Sequence, residues 1–398
     1  MNHEPMPSWL VLLFAAACGA VVANLYYTQP LIGLIAPDIG LPDWQASFIV
    51  TLTQLGYCAG MILLVPLGDL LENRRLVLST LLGAVAALAL AAVAMNPGWF
   101  LAASLLIGIG SVSVQMLVPM AAHMAPDATR GKIVGMVTSG LLTGIMLARP
   151  AASMIASALG WRWVFGLSAL LMVTTGAVLW RFLPERRPQS DHDYRSLITS
   201  LWTVLRGMPL LRRRGAYQAM MFGAFTLYWT VTPLLLAGPD YGFSQRGIAL
   251  FALSGLLGVI GAPVGGHLAD KGLARPATLA AFVMAVLAFA VGWLGASGSV
   301  AALVLSGVLL DFAVQVNLVV GQREVYTLGA HLRSRLNALY LAMLFVGGAL
   351  GSSLASATYQ AAGWSGVCGL GMLFPLMAMI LFFTERKQAG GTALGDAR

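Results

Sequence analysis

The sequence predicts an all-α membrane protein in which twelve transmembrane helices form two pseudo-symmetric six-helix bundles. Three observations support this prediction. The 398 residues are 59% hydrophobic and only 10% charged, whereas roughly 25% of the residues of an average soluble domain are charged. The apolar residues form twelve runs of about 20 residues, which is the length that a helix needs to cross a bilayer. Short patterns of the first half also recur in the second half, in the same order.

The twelve predicted helices are separated by short turns, such as MNPG and GPDYG. In the first half they cover residues 8–36, 44–68, 75–95, 98–125, 131–158 and 161–182. In the second half they cover residues 215–238, 244–268, 276–296, 298–322, 334–361 and 364–384. The first run is too long for the core of a signal peptide and no Lys or Arg precedes it, so we expect it to be retained as helix 1.

One long polar segment, residues 184–214, interrupts the apolar pattern and contains PERRPQSDHDYR and three consecutive arginines. It predicts an N-terminal six-helix bundle over residues 1–183, a cytoplasmic linker over 184–214, and a C-terminal six-helix bundle over 215–398 that ends in a short cytoplasmic tail. We expect the arginines of this linker to be solvated and to lie against anionic lipid headgroups.

The positive charges predict the orientation of the chain. Of its 23 Lys and Arg residues, all but Arg149, Arg162 and Arg246 fall on one side of the predicted helices or at the helix ends that enter that side. By the positive-inside rule this side is cytoplasmic, so both termini are expected in the cytoplasm and the protein in the bacterial inner membrane. The net charge of +8 is therefore explained by topology, and no nucleic-acid partner is expected.

The two halves repeat each other at four places. Asp69 and Asp270 end similar patterns 201 residues apart, and Gln115 recurs as Gln315. The pairs RGK at 130–132 and RSR at 333–335, and GW at 160–161 and 363–364, follow at an offset of 203. A duplicated six-helix unit is typical of transporters in which one half rocks against the other around a central site.

Several other functions are excluded by what the sequence lacks. It has no phosphate-binding GK[ST] loop, no metal-ligand spacing and no nucleophile elbow. Its three cysteines, Cys18, Cys58 and Cys368, lie in apolar runs and are expected to be buried small hydrophobes. We therefore expect no enzyme activity, no cofactor and no metal, and the partners expected are the lipid bilayer, protons and a small-molecule substrate of a monomeric protein.

Residues 65–76, VPLGDLLENRRL, resemble the cytoplasmic loop motif G-x-L-x-D-R-x-G-R-R/K of the major facilitator superfamily, and GHLADKGLARP from Gly266 resembles it again. The similarity extends over essentially the whole chain and is greatest to the bacterial twelve-helix drug:proton antiporter-like branch. It implies that charged residues at the cytoplasmic helix ends form a gate. The expected gate residues are Asp69, Arg74, Arg130 and Asp270. Arg323 and Glu324, at the inner end of helix 10, are expected either to join this gate or to form a helix end whose side chains snorkel to the membrane surface.

Two further features bear on this resemblance. NLYYTQP in helix 1 is similar to a signature found in proteins that include acriflavine-resistance transporters, which favours efflux over uptake. In helix 5, however, Arg149-Pro150 stands where the branch has Gly-Pro, and Ser104 occupies the position of the helix 4 arginine of proton-coupled members. The proton relay of the branch therefore cannot be assigned to this chain.

Asp311 is the most informative residue, because no charged residue lies within eleven positions on either side of it. A charge at mid-membrane costs at least about 2.5–3.5 kcal/mol, so such a residue normally faces a cavity, has a partner or is protonated. Arg149 lies at a similar depth in helix 5. In the superfamily, helices 1, 4, 7 and 10 line the cavity and helices 2, 5, 8 and 11 form the interface between the halves. The resulting substrate-binding candidates are Asn24, Tyr27, Gln115, Tyr228, Trp229 and Gln315.

We expect Asp311 and Arg149 to form a buried or switchable pair whose proton affinity differs between the two arrangements of the halves, so that protonation is coupled to substrate release. A permanent ion pair between helices 5 and 10 is the structural alternative. The function predicted is proton-coupled export of small amphipathic or aromatic compounds. Two alternatives remain: a proton symporter that imports a small anionic metabolite held by Arg149, and a transporter-like sensor or lipid-handling protein.

Overall fold

The computed structural model describes residues 7–126, 129–185, 187–188, 193–329 and 332–384. Throughout these ranges the regular structure consists of α-helices and short 3₁₀ segments, without strands. The all-α prediction is confirmed.

The described residues contain the twelve transmembrane helices that the sequence predicts. In the first half these are Ser8–Ala23 with Ile32–Asp38 (helix 1), Phe48–Leu63 (2), Asn73–Val93 (3), Pro97–Gly110 with Val114–Met124 (4), Arg130–Leu159 (5) and Trp161–Phe182 (6). In the second half they are Pro209–Ala237 (7), Gln245–Ala252 with Gly261–Asp270 (8), Ala274–Trp293 (9), Val300–Tyr326 (10) and the continuous Arg333–Phe383 (11 and 12). Helices 11 and 12 are separated only by Gly363, whose φ of 60° breaks the helical geometry.

Helix 1 is not the continuous helix that was predicted over residues 8–36. It ends at Ala23, and residues 24–28 form tighter turns before a 3₁₀ segment begins at Gln29. The amides of Asn24, Leu25 and Tyr26 bond three residues back instead of four. Pro30 contributes to the break, because proline has no N–H to donate and disfavours helical geometry in the residue before it.

Helix 7 begins at Pro209, within the segment predicted as a linker over 184–214, and that segment also contains its own helix, Tyr194–Gly207. The division of the chain into two bundles and a linker stays a prediction. Proline is well placed at a first helical position because its missing N–H would be unpaired there in any case. Leu197 and Leu201 bury one face of the linker helix. Arg214, expected in a solvated linker, is only 3% exposed within helix 7.

The two halves share the same glycine-mediated packing, which is what pseudo-symmetry requires. Helix 5 crosses helix 1 where Gly144 faces the backbone of Gly19, and helix 11 crosses helix 7 where Gly351 faces the backbone of Gly223. A Cβ at Gly144 or Gly351 would overlap the facing backbone. Small residues allow such close approach of two helices, and they stabilise the crossing through backbone van der Waals contact.

The halves meet most closely on the membrane side away from the linker helix. We call the side of the linker helix the linker side and the other the opposite side. Helices 2 and 11 touch near the opposite side, where the hydroxyls of Thr51 and Ser352 are 2.9 Å apart and the Ser356 amide donates to Ser47 Oγ over 3.3 Å. On the linker side a cavity separates the halves.

Candidate functional site

A cavity of about 730 Å³ lies between the two halves. Its described lining residues come from helices 1, 2, 4, 5, 7, 8, 10 and 11. The family resemblance implied that helices 2, 5, 8 and 11 form the interface, and here they also line the cavity. It extends from Asp311 to Ala122, Tyr326 and Arg333 at the linker-side ends of helices 4, 10 and 11.

The lining is mainly apolar and aromatic, with few charges. Its rings are those of Tyr26, Tyr57, Phe222, Phe225, Tyr326 and Phe345. Among the lining residues that the structure describes, Asp311 is the only carboxylate, and Arg149 and Arg333 are the cations. A concave apolar surface with a small number of placed polar groups is the usual form of a small-molecule site.

Asp311 is 6% exposed and is held on two sides. The indole Nε1 of Trp229 donates to Asp311 Oδ1 over 2.7 Å. Helix 8 passes beside the carboxylate as a 3₁₀ segment, Leu253–Ile260, which contributes Gly255 and Gly258. A Cβ at Gly255 would lie 2.8 Å from Asp311 Oδ2, so the absence of a side chain there makes the room that the carboxylate occupies.

Arg149 is 5% exposed and is surrounded by aromatic rings. Its Cζ lies 4.6 Å from the ring centre of Trp229, 5.1 Å from that of Phe225 and 5.2 Å from that of Tyr26. Its Nε donates to Gln29 Oε1 over 2.6 Å. The buried Nη2 has no hydrogen-bond partner, and neither does Nε2 of Gln29.

In this conformation no direct ion pair joins Asp311 and Arg149, and the switchable pair stays a prediction. Trp229 lies between them, with its ring face toward the guanidinium and its N–H on the carboxylate. The depths estimated from the sequence placed both charges in one layer of the membrane. The indole that occupies the space between helices 5 and 10 comes from helix 7, and depth along a helix does not reveal such a neighbour. The alternative of a permanent ion pair is not observed either.

Of the six predicted substrate-binding residues, Gln115 and Gln315 line the cavity. Trp229 contacts both Arg149 and Asp311. Gln115 Nε2 also donates to the hydroxyl of Tyr57 over 2.8 Å.

Asn24, Tyr27 and Tyr228 do not line the cavity. Asn24 accepts a hydrogen bond from Ser168 of helix 6 over 2.6 Å, and the Tyr228 hydroxyl donates to the carbonyl of Leu303 over 2.6 Å. Consecutive helical residues point about 100° apart, so a correct depth does not give the correct direction.

The neighbours of these misplaced residues reach the site instead. Tyr26 lines the cavity next to Tyr27, four residues after the lining residue Val22. Gln29 and Phe225 contact Arg149. Helical spacing could not have found Tyr26, because helix 1 ends at Ala23 and Tyr26 lies in the tighter turns that follow it. Nothing in the sequence pointed to Gln29, which follows the break in helix 1.

The predicted gate residues mostly bind within their own half. Arg323 pairs with Asp270, and Glu324 pairs with the buried Arg214 at 2.5 Å. All four belong to the second half, so these pairs brace its helices to one another and do not close the two halves together.

The gate residues of the first half behave in the same way. Arg74 contacts Glu185 at 3.6 Å and donates to the carbonyl of Trp180, and Arg130 donates to the carbonyl of Ala122 over 3.0 Å. Asp69 alone lies beside the other half, in a small recess that it shares with Ser334 and Arg335. The predicted gate is therefore not closed in this conformation.

Within the described ranges, no three His, Cys, Asp or Glu residues are grouped closely enough to hold a metal ion.

Comparisons with known proteins agree with this architecture. Residues 10–325 match the family model of the Major Facilitator Superfamily. The chain is 37% identical over 382 residues to the uncharacterized transporter YgaY of Escherichia coli O157:H7, covering 96% of each chain. It is 35% identical over 363 residues to the probable transporter SCO4007 of Streptomyces coelicolor, covering 91% of this chain and 84% of that protein.

A solved structure with the same fold is that of a bacterial homologue of the human lysosomal transporter Spinster, in an inward-facing and unoccupied conformation. It matches with a TM-score of 0.75 at 14% identity, over 95% of this chain and 96% of that chain.

Proposed function

The chain belongs to the major facilitator superfamily and is a multi-pass transporter of small-molecule substrates, and on this basis we propose that it is a proton-coupled exporter of small amphipathic or aromatic compounds. The observation that carries the proposal is the buried Asp311, the only carboxylate among the described lining residues of a mainly apolar and aromatic cavity. Such a surface favours flat amphipathic solutes, and a buried carboxylate without a direct ion-pair partner favours proton binding over a bare charge.

In the proposed cycle, the cavity exchanges access between the two sides as the halves rock against each other. The linker side is cytoplasmic in this proposal, because the Lys and Arg residues are concentrated there. The protein then lies in the bacterial inner membrane with both termini inside. Asp311 carries the proton in one direction while the substrate moves in the other. The strength of the hydrogen bond from Trp229 to Asp311 Oδ1 then depends on whether Asp311 is ionised.

Substrate-driven proton movement tests the proposal. Full-length protein is reconstituted into liposomes that contain a pH-sensitive dye, a panel of amphipathic aromatic dyes is added, and proton movement is recorded. We expect Asp311→Asn to reduce this movement at least about tenfold, because the amide keeps the hydrogen-bonding shape but cannot exchange the proton. Asp43→Asn, which removes an exposed carboxylate outside the cavity, is the matched control and is expected to resemble the unmodified protein.

Undiminished coupling in Asp311→Asn would rule out Asp311 as the proton carrier. The sign of the coupling tests the direction: protons and substrate that move together would show symport and import, whereas opposite movement supports export. Proton binding without any solute flux would instead identify a sensor.

A further inference from the structure

We propose that Arg149 and Gln29 form a carboxylate-binding subsite, so that the transported compounds are aromatic or amphipathic carboxylates whose acid group binds Arg149 while the apolar part fills the cavity. The inference rests on the transport function proposed above, and it narrows the substrate class of the same cavity.

The first argument is that Arg149 has no direct ion-pair partner among the described residues. A buried guanidinium normally has its donors satisfied by a carboxylate, carbonyls or water, because an unpaired buried charge is costly. Here Nε donates to the neutral Gln29, and Nη2 is buried without a partner among the described residues. The cation–π contacts with three rings offset part of the cost. The rings do not, however, accept hydrogen bonds from the N–H groups that lie in the plane of the guanidinium.

The second argument is that the unpaired groups are all donors. Gln29 Oε1 is used by Arg149, which leaves Nε2 of the same amide buried and unpaired beside the unpaired Nη2. Two adjacent donor groups without an acceptor fit an acceptor-only ligand. A carboxylate meets this need, because its two oxygens match the planar guanidinium in a bidentate arrangement.

The third argument concerns how the site is built. Gln29 lies in the 3₁₀ segment that follows the break in helix 1, and it fixes one edge of the guanidinium. The rings of Tyr26, Phe225 and Trp229 hold the guanidinium from other directions. Arg149 therefore has a fixed orientation before the ligand arrives, and preorganisation lowers the cost of binding.

The arrangement also relates the subsite to Asp311. Trp229 contacts the guanidinium with its ring and the Asp311 carboxylate with its N–H. A carboxylate bound at Arg149 would therefore lie one side chain away from Asp311, the proposed proton carrier.

Ligand binding to purified full-length protein tests the subsite independently of transport. The probes are indole-3-acetate, its neutral amide indole-3-acetamide, and the cation tryptamine, which share one ring system. Binding is measured by calorimetry and by thermal unfolding with a thiol-reactive dye, which reports the exposure of the buried Cys18, Cys58 and Cys368. We expect the acid to bind about 10- to 100-fold more tightly than the amide, as suits a charge-assisted bidentate pair.

Two variants locate the effect. Arg149→Gln is expected to abolish the preference for the acid. Gln29→Glu places a carboxylate of the protein itself on the guanidinium and is expected to block the acid while it keeps the protein folded. Arg206→Gln removes an exposed arginine of the linker helix and is the control for the loss of one positive charge. If Arg149→Gln does not fold, the binding of the acid and amide probes to Gln29→Glu tests the subsite.

Equal binding of acid and amide to the unmodified protein, or an acid preference that persists in Gln29→Glu, would overturn the subsite. Failure of proton-coupled transport with an intact acid preference would instead overturn the proposed transport mechanism and leave the subsite standing.

Discussion

At the scale of single residues, Trp229 is the central side chain of the site. It lies 4.6 Å from the Arg149 guanidinium and donates to Asp311. Two opposite charges in a low-dielectric region attract strongly when they are in contact, and the indole keeps them apart while it interacts with both. This separation is what the two proposals use: a proton would bind Asp311, and an acceptor group of the substrate would bind Arg149.

The glycines beside Asp311 give a residue-scale prediction. A methyl group at Gly255 would lie 2.8 Å from Asp311 Oδ2 and 3.1 Å from the Trp229 ring, so Gly255→Ala must displace one of them. We expect substrate-driven proton movement in proteoliposomes to fall about tenfold, with an overpacking cost of about 1–3 kcal/mol in stability.

Gly176→Ala is the matched control, because a Cβ there in helix 6 would meet no neighbour. It is expected to transport normally. Normal transport by Gly255→Ala would show that the position of the Asp311 carboxylate is not critical.

At the scale of elements, the break in helix 1 places two of its residues at the site. Tyr26 lies in the non-helical turns and Gln29 in the 3₁₀ segment after them, and both contact Arg149. The buried Nδ2 of Asn24 and Oγ1 of Thr28 have no partners. An interrupted helix near the bilayer midplane is a common feature of transporter binding sites.

The second part of helix 1 is anchored on the opposite side by Asp38, its last residue, which lies beyond the apolar run of residues 8–36. Asp38 accepts hydrogen bonds from Arg162 and, over 3.0 Å, from Nε1 of Trp161, while Arg162 also donates to the carbonyl of Ala94 over 3.2 Å. The hydrogen bond from Arg162, followed by that from Trp161, holds the pKa of the Asp38 carboxyl below its usual value. This cluster joins the ends of helices 1, 3 and 6.

A pH dependence of stability follows from the lowered pKa of Asp38. Because the folded-state pKa is below the unfolded value, this contribution is present above about pH 4 and is lost as the pH falls through the folded pKa. We expect the melting temperature of Asp38→Asn to lie below that of the unmodified protein at pH 6 and to approach it at pH 3. The difference is small, because Asp38 is partly exposed to solvent.

Thermal unfolding of purified protein between pH 6 and pH 3 measures this difference. Asp43→Asn, an exposed acid in the loop after Asp38, controls for the loss of a negative charge. A difference between Asp38→Asn and the unmodified protein that stays constant with pH would contradict the assignment.

At the scale of the whole molecule, the two halves touch on the opposite side and separate on the linker side. The contact between Thr51 and Ser352 joins helix 2 to helix 11, whereas the charged pairs on the linker side each remain within one half. In the proposed cycle the cavity opens on the opposite side, so this contact is expected to break in every cycle.

A disulfide across this contact tests the rocking motion. The 2.9 Å between the two hydroxyl oxygens indicates that Thr51→Cys with Ser352→Cys brings two thiols within bonding reach. Oxidation of the double variant is expected to stop transport to background, and a reductant is expected to restore it, because the bond holds the opposite side closed. The two single variants are the controls, and transport that continues after verified cross-linking would exclude this rocking motion.

The sequence by itself determined the helix count and the repeat of six helices, and it predicted two buried charges between the halves. These follow from local quantities: the length of an apolar run, the offset between repeated patterns and the rise per residue. Gln115, Gln315, Arg149 and Asp311 were found in this way, and all four line the cavity.

Only the tertiary structure decided which way the side chains point and which partner each one meets. Tyr26 replaced Tyr27, Trp229 separated Arg149 from Asp311, and Glu324 paired with Arg214 from a segment that was expected to be solvated. One residue more or less turns a helical side chain by 100°, and a break such as that in helix 1 resets this direction. The partners come from helices far apart in the chain, so their contacts are set by packing between helices, which the spacing of residues within one helix does not encode.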